Sequence, residues 1–144
     1  MTAQCLCGDV RIEITGKLGP LVYCHCSRCR KAQGTAFSAN TDVRRTYWRW
    51  IAGEAAVREY ESSPGVFRAF CGRCGSPIYS RRPAAPDILR LRLGILDDDP
   101  GRRSLAHFHV ASRAPWFAIS DDLPQFAGGP EEHAEEIARL RGPR

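Results

Sequence analysis

The chain has 144 residues, 43% of them hydrophobic, and its 21 Lys and Arg against 16 Asp and Glu give a formal charge of +5 and a pI near 9.0. That length fits one compact domain with its own core, and no apolar run approaches the roughly 20 residues needed to cross a bilayer. Seven cysteines held as thiolates by two Zn²⁺ would remove three charges and leave about +2, so a polyanionic partner such as nucleic acid is not expected.

Met1 runs into Cys5 without a basic and apolar leader, which makes a cytoplasmic location the expectation. Cys5-x-Cys7 is the first cysteine group. In an extended segment residues two apart project to one side, so the two sulfurs can hold one ion while Leu6 points away. Residues 10–15 and 21–24 alternate as strands around a turn at 16–20. The second group, Cys24-x-Cys26-x-x-Cys29, follows directly, with Arg28, Arg30 and Lys31 in or just after it.

Further strands are expected at 47–51, 56–60, 66–70, 88–96 and 106–110, with turns at 62–65, 83–87 and 97–101, so the fold class is mainly β. The third group, Cys71-x-x-Cys74, comes directly after the strand at 66–70, with Gly72 and Gly75 around it. Near the end Gly129 and Pro130 open a helix, Glu131 and Glu132 suit its positive end, Arg139 and Arg141 suit its negative end, and Gly142-Pro143 stops it. Ala134, Ile137, Ala138 and Arg141 share a face, with Leu140 beside it, which is a modest docking stripe.

A reducing compartment disfavours disulfides, and an odd number of cysteines in C-x-C and C-x-x-C groups suits metal thiolates. A redox role for Cys71 and Cys74 competes less well, because glycines suit a metal knuckle: they allow φ > 0 and let backbone N–H groups turn onto sulfur. Seven ligands are one short of two four-sulfur cages. Four protein ligands make a structural zinc site and three leave a corner open, so a closed and an open site are expected.

Cys5 and Cys7 can be completed by Cys71 and Cys74, while Cys24, Cys26 and Cys29 converge locally. Joining Cys24 and Cys26 to Cys71 and Cys74 is the alternative, and the local triad is preferred because it orders the least chain. Zinc with three thiolates and one neutral ligand carries net charge −1, a poor acid toward water but a good holder of soft sulfur, so a thiol substrate suits it. His25, between two ligands, should face away from them. His107 and His109 are spaced to share a strand face and read as a hydrogen-bonded pair with no acidic partner nearby; His133 carries no assignment. Trp48, Trp50 and Trp116 read as core or rim aromatics.

Taken together, Cys5-Leu-Cys7-Gly8, Cys24-His-Cys26-x-x-Cys29-Arg-Lys-x-x-Gly34, Phe70-Cys71-Gly-x-Cys74-Gly75-Ser76 and Ser112-Arg-Ala-Pro-Trp116 closely resemble the glutathione-dependent formaldehyde-activating family, which also includes centromere protein V. The likeness runs from about Cys5 to Phe126 and takes in Gly53-Glu54 and Gly94-Ile-Leu-Asp97. It implies a zinc-binding β-tent fold of short antiparallel sheets, with residues 1–128 as the domain and 129–144 as a helical appendage. By position it implies two Zn²⁺: a structural one on Cys5, Cys7, Cys71 and Cys74, and a catalytic one on Cys24, Cys26 and Cys29.

The activity implied is that of a carbon-sulfur lyase joining or splitting glutathione and formaldehyde as S-hydroxymethylglutathione. Arg30, Lys31, Gly34 and Phe37 would border the thiol pocket, Gly34 by allowing close backbone approach. The rival reading is a non-catalytic zinc module that binds protein or nucleic acid through Arg44, Arg45, Arg49 and Arg58 interleaved with Tyr47, Trp48 and Trp50. No basic or Pro-rich extension supports a chromatin role. A third reading closes the middle site with His107, His109 or a neighbouring subunit.

Overall fold

The computed structural model describes residues 1–141. In chain order the strands are β1 (Thr2–Gln4), β2 (Arg11–Ile14), β3 (Leu21–Cys24), β4 (Ser38–Arg44), β5 (Trp48–Ala52) and β6 (Val57–Ser63). They continue with β7 (Val66–Cys71), β8 (Pro77–Arg81), β9 (Ile88–Arg92) and β10 (His107–Phe108), and the helices are α1 (Ser27–Gln33) and α2 (Ala134–Arg141). Packing divides the chain into two units. The first comprises Met1–Gly19 and Thr41–Arg102, the second Pro20–Asn40 and the residues from Arg103 onward.

The first unit holds an antiparallel sheet in the order β1-β2-β5 and the antiparallel ladder β9-β8-β7-β6, with the last residues of β4 beside β9. Alternation explains how β2 packs: Ile12 and Ile14 are buried, whereas Arg11 is exposed and Glu13 half-buried. The β2–β5 register sets Ile12 opposite Trp50 and Ile14 opposite Trp48, so the two indoles lie over that core and meet Tyr79 edge-on or tilted. Val10, Val43, Ile78, Leu89 and Leu91 complete a core to which Cys5 and Cys71 also belong.

In the second unit β10 pairs with β3 in parallel, placing His107 opposite Tyr23 and Phe108 opposite Cys24. Phe108 stacks on Phe126 at 5.2 Å, and Ala106 and Ile137 close this smaller core. The expected end helix begins as a 3-10 turn at Pro130–His133, where Glu132 Oε1 accepts the Gly129 N–H at 2.8 Å, before α2 proper. Of its stripe only Ile137 is buried; Ala134 and Ala138 are exposed. The Gly142-Pro143 stop lies outside the described residues, as does the Arg141 side chain. Among the described residues no helix is long and apolar enough to cross a membrane.

Candidate metal centres

The segment 5–10 folds back on itself because the Cys5 N–H donates to the Val10 carbonyl at 3.1 Å and the Val10 N–H donates to Cys5 Sγ at 3.3 Å. This brings Cys7 Sγ to 3.5 Å from Cys5 Sγ and 3.9 Å from Cys71 Sγ, and all four sulfurs of Cys5, Cys7, Cys71 and Cys74 lie within 4.8 Å of one another. A tetrahedral ion with Zn–S bonds of about 2.3 Å requires sulfurs about 3.8 Å apart, so this donor set fits Zn²⁺. The Ser76 hydroxyl accepts the Leu6 N–H at 2.9 Å, and its oxygen lies 3.2 Å from Cys74 Sγ. Chiefly through that contact the Cys74 thiol is held well below its ordinary range.

The glycines of this knuckle act differently from expectation. Gly75 does adopt φ 77°, but its N–H donates to the Cys71 carbonyl, and that of Gly72 donates to the Ala56 carbonyl. Sulfur receives neither.

Cys24, Cys26 and Cys29 form the second cluster, again with sulfurs within 4.8 Å of one another. Cys24 ends β3, Cys26 caps α1 in an extended conformation, and Cys29 lies in the first helical turn, its N–H donating to Cys26 Sγ at 3.4 Å. Among the described residues no histidine or carboxylate atom joins these three sulfurs, so neither His107 nor His109 closes the site, and Cys24 and Cys26 group with Cys29 rather than with Cys71 and Cys74. Hydrogen bonding of the Cys24 thiol to the Cys26 and Cys29 sulfurs, more than burial, pushes it far up, a crowding that a divalent cation would relieve. None of the seven cysteines is in a disulfide.

His25 is fully buried and hydrogen-bonded: its Nε2 lies 2.8 Å from His107 Nδ1, and His107 Nε2 lies 3.0 and 3.1 Å from the two oxygens of Asp121. Burial first, then His107, Arg113 and Arg30, push the His25 imidazole down to about 4, which keeps it neutral. Asp121 is held below the usual carboxylate range, first by the Leu123 N–H that donates to it at 3.0 Å. The expected pairing of His107 with His109 does not form, because His109 has φ 57° and leaves the strand. The acidic partner of His107 stands 14 residues downstream, beyond any spacing motif.

Of the four suggested pocket residues, Arg30 and Phe37 lie against this pair. Arg30 donates from Nε to the His25 carbonyl at 3.2 Å, and the Phe37 ring lies 4.7 Å from Tyr23, 5.3 Å from His25 and 5.6 Å from Phe117. Lys31 is exposed in the last turn of α1, where its charge suits the helix dipole. Gly34 is explained by its left-handed φ of 65° as the helix cap, not by close approach, since a Cβ there would meet nothing within 4 Å. Phe117, Asp121 and Arg113 were not singled out from the sequence. The Ser-Arg-Ala-Pro-Trp motif just before Phe117 was the available signal.

The basic strand face that supported nucleic-acid binding is largely engaged within the chain. Arg49 pairs with Glu13, Arg45 donates to the Pro86 carbonyl, and Arg58 donates to the Ala55 and Val57 carbonyls. Trp48 and Trp50 pack against the first core, and Trp116 is exposed.

Residues 1–112 match the family model described as "Glutathione-dependent formaldehyde-activating enzyme". A Halomonas elongata protein named "Putative glutathione-dependent formaldehyde-activating enzyme" is 29% identical over 154 residues, covering 97% of this chain and 96% of that protein. A crystal structure of a Rhodobacter sphaeroides protein superposes with a TM-score of 0.56 at 27% identity, covering 69% of this chain and 90% of the other. The chain, with its two cysteine clusters on a mainly β scaffold, belongs to the glutathione-dependent formaldehyde-activating enzyme family.

Proposed function

We propose that this protein is a zinc-dependent carbon-sulfur lyase that makes and breaks the adduct of formaldehyde with glutathione or a related thiol, S-hydroxymethylglutathione being the expected compound. The observation that carries the reading is the convergence of exactly three protein sulfurs, from Cys24, Cys26 and Cys29, in a chain of this family. When bound there, zinc supplies a Lewis-acidic centre with one coordination position for a sulfur ligand from outside the chain. Cys5, Cys7, Cys71 and Cys74 hold the second, structural zinc.

In the forward direction the thiol gives up its proton, sulfur bonds to the carbonyl carbon, and the carbonyl oxygen takes up a proton to become the hydroxyl; the reverse reaction returns each. The chain's own residues orient the partners. Arg30 keeps four of its five N–H donors beyond its bond to the His25 carbonyl, enough to receive a carboxylate of a glutathione-type peptide with Lys31 beside it. Phe37 and Phe117 supply an apolar wall that limits water around the one-carbon unit. In this reading residues 1–128 carry the chemistry and 129–144 are an appendage, and a reducing cytoplasm preserves the thiols.

Cobalt substitution tests the reading, because its absorption reports the ligands directly. Glutathione should perturb the spectrum of the two-cobalt protein, and Cys26→Ser should remove the response while leaving a folded protein with one metal. A spectrum indifferent to glutathione and other small thiols, with salt-sensitive binding to oligonucleotides instead, would establish the binding-module reading.

A further inference from the structure

Within the second unit, residues 20–40 and 103–120 carry five cationic side chains, Arg28, Arg30, Lys31, Arg103 and Arg113, and no carboxylate at all. Three thiolates with Zn²⁺ total −1, a charge that one of these cations offsets. The surplus gives the two segments a positive field that draws an anionic ligand. Asp121, the first acid after them, is already engaged by His107 and by the Leu123 N–H.

Two of the five cations act on the buried His25 ring: Arg30, which is hydrogen-bonded to the His25 carbonyl, and Arg113. Arg113 comes from a separate segment whose backbone is fixed. Its N–H donates to the Val110 carbonyl at 3.0 Å, Ala114 is fully buried, and the Phe117 N–H donates to the Ala114 carbonyl at 3.1 Å. This double turn puts the Phe117 ring 5.6 Å from Phe37 and 6.0 Å from His25, and leaves Arg113 and Trp116 exposed. The Arg113 guanidinium makes no hydrogen bond or ion pair among the described residues. Trp116 is 71% exposed, with the Phe117 ring 6.5 Å away and edge-on to it. A bare indole close in sequence to a free guanidinium offers a flat apolar face and a fork of donors, which suit an amide plane and the carboxylate that follows it.

We propose that the turn at residues 113–116 holds the glycine end of glutathione, Arg113 binding its carboxylate through both arms of the guanidinium and Trp116 covering the adjoining amide; this rests on the lyase reading. The γ-glutamyl carboxylate, which has its own ammonium beside it, is left to Arg30. The glycine carboxylate has no such neighbour, so the arginine without a partner matches it. The site thereby selects a peptide thiol with a free terminal carboxylate over neutral small thiols.

Titration calorimetry of the zinc-loaded protein tests this without turnover. Glutathione should bind about tenfold more tightly than its glycine ethyl ester, and Arg113→Gln should erase that difference while leaving affinity for the ester and for 2-mercaptoethanol within about twofold. Arg113→Lys should restore part of the difference, because an ammonium supplies charge without the fork. Glutathione should also shift the tryptophan emission to shorter wavelength. Trp116→Phe should remove that shift, since Trp48 and Trp50 pack against the first core. Equal affinity for glutathione and its ester in the wild type overturns the proposal, as does a preference that survives Arg113→Gln, an equal loss for every thiol, or an emission blind to bound glutathione. A cobalt spectrum silent to every thiol instead overturns the lyase reading itself, whatever Arg113 does.

Discussion

Cys26 and Cys29 are joined twice: the Cys29 N–H donates to Cys26 Sγ at 3.4 Å to cap α1, and both sulfurs belong to the same cluster. Serine is itself a favoured helix cap, so Cys26→Ser separates the two roles. The variant should keep its circular dichroism spectrum and bind one metal per chain instead of two by atomic absorption. Its lyase activity should fall to background. A fully unfolded variant would show that the triad is structural.

Replacing a cysteine of the other cluster should do the opposite. Cys71 is fully buried within the first core, and its cluster ties residues 5–7 to residues 71–74, a long loop whose closure restrains the unfolded chain most. Cys71→Ser should lower the melting temperature by about 10 °C or more, the loss expected for a few kcal/mol in a chain of this size. A chelator should reproduce the loss in the wild type. An unchanged melting curve with one metal lost would remove the structural role from this site.

Glu59 and Arg81 make a pair whose contribution depends on pH. Arg81 lies over the Phe67 ring at 4.4 Å and donates from Nε to Glu59 Oε1 at 2.8 Å, and chiefly through that hydrogen bond the Glu59 carboxyl is held below its ordinary value of 4.5. A carboxyl depressed by folding stabilises the native state above the unfolded value and loses that contribution as pH falls through the folded one. Glu59→Gln should therefore cost about 0.5–1 kcal/mol at pH 7. The difference in urea midpoints should shrink as pH falls below 4.5. A constant difference across that range would assign the loss to packing.

Phe108 joins the smaller core to the middle cysteine group, because it stacks on Phe126 and stands opposite Cys24 in the parallel β10–β3 register. Phe108→Ala should cost about 3–5 kcal/mol by denaturant unfolding. Metal at the middle cluster should also become easier to remove than metal at the four-cysteine cluster, as competition with a chelator would read. Equal loss from both clusters would contradict this coupling.

The cysteine groups were legible because ligand spacing is local, and most strands were legible because Ile, Val, Trp and Leu alternate against polar residues. β4 was not. Its buried positions include Ser38, Asn40 and Thr41, paired with each other or with the Gly19 carbonyl, so a buried strand reads as a polar loop. β1 is three residues long, β8 opens on a proline, and α1 has no buried residue to mark a stripe. Two expected strands ran too long: Leu93–Ile95 turns as a 3-10 segment after Arg92, and the backbone at His109 ends β10. The His25–His107 contact spans 82 residues, and no local pattern announces such a bond.

That same separation bears on biosynthesis. A ribosome adding about 5–20 residues per second releases Cys24, Cys26 and Cys29 several seconds before His107 and Phe108 follow, the two imidazoles standing 82 positions apart. During that interval the nascent chain exposes three adjacent thiols with no parallel strand beside them, at the mercy of stray oxidants. Early capture of a metal ion would then serve as a protecting group, shielding the sulfurs until translation delivers the rest of their surroundings.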